Sequence, residues 1–320
     1  MEFSPYNTNP REDKVIPATW VLLLLVLAIL FGNLLGAAFS TLIGYLSGTD
    51  MQALLTSFGK DSPYGDRQLL RWLSLVTHVA SFTLPVLGMA FLLYRKRWFY
   101  RLYLDAAPKL SAAATGILFI LVSFPFAQTI YWINRQLPLP EWMTAMEGDV
   151  EGLVQGLLVM NSPGELLFNL LVVAIVPAIG EELVFRGILQ PQLSRMVKRP
   201  AVAVWITAFL FSAVHMQFEG FLPRFLLGAM LGYLFLWSRN LWIPIIAHFF
   251  FNGLQVVVQF FAADAMNEMD TTKTDQPYWL LGGSSLLLTL YVGYYFYRRF
   301  SAAPTAPPEN AEALENEEQA

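Results

Sequence analysis

Long apolar runs of about twenty residues, divided by short charged clusters, lay out this chain and constrain its fold more than any other feature. A hydrocarbon core about 30 Å thick is crossed by about 20 apolar residues of helix. The other spanning solution, a β-barrel, would show short segments of alternating polarity instead. The sequence therefore predicts an all-α integral membrane protein built as one bundle. Eight spans are expected, at roughly 17–46, 72–94, 112–134, 163–190, 201–217, 221–238, 241–262 and 277–297. Arg11 and Lys14 precede the first run as they would a secretory signal, but its apolar stretch is too long for one.

Composition narrows the function classes. The 320 residues are 56% hydrophobic and only 14% charged, against about 25% charged in a soluble domain. There is no cysteine, which removes disulfide frameworks, thiol catalysis and Cys-ligated zinc. The net charge of −4 owes much to a tail after Phe300 rich in Glu, Ala and Pro, so the body is near neutral and carries no nucleic-acid patch. Three segments follow: a cytoplasmic N-terminal segment at 1–16, a polytopic membrane domain at 17–300, and a disordered acidic cytoplasmic tail at 301–320.

The basic clusters Arg11/Lys14, Arg95–Arg101, Arg195–Arg199, Arg239 and Arg298/Arg299 fall on one side of an eight-span topology. The positive-inside rule assigns that side, and both termini, to the cytoplasm. The expected location is a bacterial inner membrane.

The fourth span is unusual. It opens with Ser162-Pro163-Gly164-Glu165, an N-cap serine with proline at N1 and glutamate at N3. About 27 Å further along lies Glu181, inside the membrane, followed by Glu182 and Arg186. Pro177 and Gly180 interrupt the helix just before the pair, as happens where a helix lines a cavity. A charge at mid-bilayer costs about 2.5–3.5 kcal/mol, so three together need partners. Glu182 and Arg186 are four apart, with the glutamate N-terminal, the favoured order for an ion pair. Glu181 lies about 100° round the helix and is left to work.

The three histidines add to this. His215 follows Phe211 by four residues, and His248 precedes Asn252 by four, so each pair shares a helix face. His78 has no acidic or amide partner at helical spacing and reads as structural. A carboxylate can take a proton from water while a histidine orients that water. A second histidine and an amide donor can stabilise the oxyanion formed when water attacks a carbonyl. The same groups could instead hold zinc through Glu181, His215 and His248, although no HExxH is present. On this reading alone the polar residues are either a hydrolytic site or a clamp between helices.

The pattern Glu181-Glu182-x-x-x-Arg186, Phe211-x-x-x-His215 and His248-x-x-x-Asn252, in that order on successive apolar spans, resembles the CPBP (CAAX prenyl protease and Abi, bacteriocin-processing) family of intramembrane proteases. The resemblance covers about residues 160–255. It implies an endopeptidase acting on a membrane-associated or lipidated peptide, with a cavity open toward the cytoplasm. It also implies Glu181 as general base with His215, an oxyanion site at His248 and Asn252, and Glu182, Arg186 and Phe211 as support. No cofactor is expected, with zinc as the alternative. The partners implied are the bilayer and a peptide substrate, with no nucleic acid. The competing classes are a non-enzymatic scaffold or bacteriocin-immunity protein, and a proton-coupled transporter, which the lack of interrupted segments in repeated halves disfavours. One difficulty stands: a fifth span starting near 201 puts His215 about 21 Å deep, beyond Glu181.

Overall fold

The computed structural model describes residues 16–268 and 279–301, so the expected N-terminal segment up to 15 and the tail from 302 onward lie outside the described residues. Ten helices follow in order: α1 Ala18–Ser47, α2 Met51–Ser57, α3 Tyr64–Arg101, α4 Leu110–Arg135, α5 Glu141–Leu157, α6 Pro163–Val197, α7 Pro200–Ala213, α8 Phe221–Ser238, α9 Trp242–Glu268 and α10 Trp279–Phe300. No strand occurs among the described residues.

Six of these are long and apolar enough to cross a membrane, not the expected eight. The α7 helix has 14 residues, and at 1.5 Å each covers about 21 Å, short of a bilayer core. The α10 helix has length enough, with 22 residues, but Gly282, Gly283, Ser284 and Ser285 near its start and Tyr291, Tyr294, Tyr295 and Tyr297 near its end dilute its hydropathy. Both helices exist where spans were expected; what fails is length in one and apolarity in the other. Exposed leucines and phenylalanines on α1, such as Leu27, Phe31 and Leu34, form a surface that suits lipid rather than water.

Helix directions still alternate, as cross-links at the two ends show. At one end the α8–α9 turn is tied to the α3–α4 connection: Asn240 Nδ2 donates to Ala106 O, Leu241 N to Tyr103 O and Trp242 Nε1 to Leu104 O. Arg195 of α6 donates to Ile16 O at the same end. At the other end Asn134 of α4 donates to Phe218 O, and Glu147 of α5 accepts from the N–H groups of Phe218 and Glu219. Arg71 of α3 pairs with Glu165 of α6 at 2.8 Å and donates to Leu157 O. The basic clusters from Arg95 to Arg299 thus gather at the first end, and α5 marks the second.

The start of α6 forms as its sequence predicts. Ser162 Oγ accepts from Glu165 N at 3.3 Å, and Glu165 Oε1 reaches back to Asn161 N at 3.2 Å. Further on, α6 is not uniform: Leu170–Ile175 and Leu183–Leu189 are π-helical, on either side of an α-helical turn Val176–Glu182. A third wide turn, Val79–Thr83, lies in α3 directly after His78. Such bulges concentrate at functional sites because they re-aim side chains. A core of Leu183, Phe185, Ile188, Phe211, Phe235 and Leu241 fills the bundle between this region and the basic end.

Candidate active site

Glu181 and Glu182 close the α-helical turn at the middle of α6 and point to different partners. Glu182 is fully buried. Its Oε1 receives Arg186 Nη1 at 2.7 Å, the pair expected from the spacing, and also His248 Nδ1 at 2.9 Å from α9. Arg186, also fully buried, donates its Nη2 to Gly228 O of α8 and lies 4.9 Å over the Phe211 ring. The charge is therefore held by a carboxylate, a carbonyl and an aromatic face, while Arg186 Nε and Glu182 Oε2 are buried without a hydrogen-bond partner. Phe211 reaches further: its ring meets His215 and His248 edge-on, at 5.1 and 5.9 Å between centroids.

Glu181 has no basic residue in ion-pair contact among the described residues other than histidines, and three converge on it. His78 Nε2 lies 3.5 Å from Oε1, while His215 Nε2 and His248 Nε2 lie 3.9 and 4.0 Å from Oε2. The other ring nitrogens decide what these can do. His215 Nδ1 sits 2.7 Å from Phe211 O, and His248 Nδ1 sits on the Glu182 carboxylate. Carbonyl and carboxylate oxygens only accept, so in each neutral ring Nδ1 carries the proton and Nε2 is bare. Two bare nitrogens and a carboxylate oxygen thus face one small volume.

His78, read from the sequence as structural for want of a partner at helical spacing, has a partner on another helix. Its partner is 103 residues away, which no search at helical spacing finds. It stacks on Phe82 at 4.6 Å, and its Nδ1 is buried without a hydrogen bond. Gly180 allows the approach, since a Cβ there would come within 2.9 Å of His78 Cε1 and of Thr83 Oγ1. The role of this glycine is close packing of α3 against α6, beyond the loosening expected of it.

Pro177 also has a traceable effect. Lacking an N–H, it cannot make the α-helical bond to the carbonyl of Val173 four residues earlier. Asn252 Nδ2 donates to that carbonyl at 3.2 Å, and lies 3.4 Å from His248 Nε2. The broken helix on α6 therefore helps to fix the amide on α9.

The depth difficulty also resolves. Because α6 runs to Val197 rather than ending near 190, Glu181 lies about 24 Å from that end, and His215 about 22 Å from the adjacent start of α7. The two are level. His215 sits just past the end of α7, in a connection to α8 clamped by Glu147 and Asn134.

A cavity of about 580 Å³ opens against this cluster. Its lining includes Glu181, His215, His248 and Asn252 at one end, an apolar wall of Phe124, Leu157, Leu158 and Phe251, and the polar Tyr131 and Arg224. It extends from Glu181 toward α5, away from the basic end. The expected cytoplasmic basic clusters and the expected cytoplasmic cavity mouth therefore fall on opposite ends of the molecule.

The suggested zinc set was Glu181, His215 and His248. In a tetrahedral site with bonds of about 2.0–2.1 Å, neighbouring ligand atoms are about 3.3–3.4 Å apart. The gaps of 3.9 and 4.0 Å are wider, and no group of three or more such side chains among the described residues makes a metal site. The residues do not fit the ion. The gap between Oε2 and His215 Nε2 does suit one water that donates to both, at about 2.8 Å from each.

Compared with known families, residues 163–254 match the model described as Rce1-like, type II CAAX prenyl endopeptidase Rce1-like. No curated protein and no solved structure matches the chain.

Proposed function

We propose, from the match of residues 163–254 to the type II CAAX prenyl endopeptidases, a family of proteases, that Glu181 is the general base that drives water onto a peptide bond inside the membrane. The observation that carries this reading is the convergence of Glu181 Oε2 with the Nε2 atoms of His215 and His248 at the end of the cavity.

In this mechanism the attacking water sits between Glu181 Oε2 and His215 Nε2. Glu181 takes one proton and His215 accepts the other hydrogen, which aims the oxygen lone pair at the carbonyl carbon. As the tetrahedral intermediate forms, its oxyanion meets the Nδ2 amide of Asn252 and the Nε2 of His248. With its Nδ1 proton committed to Glu182, His248 can donate there only when Nε2 carries a proton as well. Glu181 then passes its proton to the leaving amine. His78, on the opposite carboxylate oxygen, is a positioning residue that keeps Oε2 turned to the water.

The clamp reading fits Glu182 and Arg186, whose groups are enclosed and bound across helices. It does not fit Glu181, which borders the cavity. The apolar wall supports a lipidated or membrane-embedded peptide as substrate, and the family description favours a C-terminal CAAX-type sequence. The test compares peptide termini in membranes of cells that carry equal amounts of the native protein or its Glu181→Gln variant. Loss of specific termini with a matching precursor is expected; identical termini, with a purified Glu181→Gln protein that still cleaves, would refute the mechanism.

A further inference from the structure

Arg224 stands in the first turn of α8 and lines the same cavity as Glu181 and His215. Its neighbours use only part of its capacity. Nη1 faces the carbonyls of Gln217 at 3.3 Å and Gly220 at 3.5 Å, and Nη2 donates to Gln217 Oε1. A guanidinium has five N–H groups. Two are left over, one on Nη2 and the one on Nε, and the Nε edge of a guanidinium can offer the side-on fork that matches a carboxylate.

No carboxylate of the chain takes that place among the described residues. Glu147 is committed to the N–H groups of Phe218 and Glu219, and Glu219 pairs with Arg135 at 3.0 Å. Glu181 faces its histidines. Glu181 and Glu147 attract Arg224 only from beyond contact distance, and an arginine that borders an apolar cavity wall with no carboxylate in contact among the described residues marks a ligand site by default.

We propose that Arg224 binds the C-terminal carboxylate of the peptide substrate. The inference rests on the protease reading and deepens it. A peptide laid across Glu181 has at most one terminal carboxylate, on the leaving-group side, and Arg224 is the cation in the cavity lining that can receive it. The subsite then selects bonds near a free C-terminus, and an internal segment of a longer protein lacks the group it needs. Gln217 holds the fork in place through its own side chain and carbonyl.

The experiment uses a prenylated peptide ending in a CAAX sequence, made as the free acid and as the C-terminal amide. Binding of each to full-length Glu181→Gln protein is measured by fluorescence anisotropy in detergent, so that no product forms. The acid should bind about tenfold or more tighter than the amide, as a charge-assisted pair requires. Adding Arg224→Gln should bring the acid to the level of the amide and leave the amide unchanged. Arg224→Lys, which keeps the charge without the fork, should retain part of the preference. Equal binding of acid and amide by protein that retains Arg224 overturns the proposal, independent of any variant. Cleavage by the native protein is read separately: a peptide bound with acid preference and never cut leaves the subsite standing and removes the hydrolytic reading.

Discussion

His248 Nδ1 and Arg186 Nη1 reach the same oxygen of Glu182, at 2.9 and 2.7 Å, from different helices. One carboxylate therefore holds the charge that locks α6 to α8 and the ring that α9 brings to the cavity. Stability and chemistry meet at a single atom, and substitutions can separate them.

Arg186→Met alone strands the Glu182 carboxylate in a buried site and should cost about 3–5 kcal/mol. Adding Glu182→Leu removes the stranded charge and should recover most of that loss. The double variant should still be inactive, because His248 Nδ1 no longer has an acceptor to hold its ring. Thermal unfolding in detergent, together with cleavage of a prenylated peptide, checks both parts. A double variant that is stable and active would show that the Glu182–His248 bond is dispensable.

Asn252→Ala takes away the donor to Val173 O and the amide beside His248 Nε2. Unfolding should become easier by about 1–3 kcal/mol, the cost of an unsatisfied buried carbonyl. Cleavage should fall about 10²–10³-fold if the amide meets the oxyanion. A fall in rate no greater than that given by an equally destabilising variant remote from the cavity would remove the amide from the mechanism.

Gly180→Ala forces a methyl group to within 2.9 Å of His78 and Thr83, and should destabilise the protein by about 1–3 kcal/mol. Combining it with His78→Ala should relieve part of that cost, since one of the two clashing groups is gone. A double-mutant cycle in unfolding free energy reads the coupling. Strict additivity would show that α3 and α6 do not meet at this point as tightly as the geometry requires.

The absence of cysteine makes the membrane orientation simple to measure. A single thiol placed at Glu151→Cys marks the cavity end, and one at Arg199→Cys marks the basic end. With the basic end in the cytoplasm, as the charge bias requires, a membrane-impermeant maleimide added to intact cells should label Cys at 151 and spare 199. The opposite pattern would put the cavity mouth in the cytoplasm and make this chain an exception to the charge rule.

Much of the site could be read from spacing because its partners share a helix. Glu182 with Arg186, His215 with the Phe211 carbonyl, and His248 with Asn252 are each four residues apart, and periodicity alone brings them together. What spacing could not show was every contact between helices. His78 finds Glu181 from 103 residues away, His248 finds Glu182 from 66, and Glu147 finds the N–H groups that hold the connection after His215. Arg224 passed unnoticed in an apolar run because nothing near it in sequence marks a cavity. The span count erred for a related reason. The apolar segment of α7 is ended by the turn that presents His215, and the tyrosines of α10 count as aromatic while adding little hydropathy.

The wide turn at Leu183–Leu189 puts a length constraint on this chain as well as a composition constraint. A π turn accommodates one residue more than an ordinary helix would, so the segment after Glu182 carries a spare position. Deleting one residue there would return the turn to normal pitch and keep the segment toward Val197 in phase, whereas adding one would rotate that segment by about 100°. On such an addition Glu181 and Glu182 would keep their places, while Gln190 would swing away from the Gly232 carbonyl it now binds at 3.0 Å. A tally of which residue types are tolerated at each position would miss this, because the vulnerable quantity is the number of residues between Glu182 and Gln190.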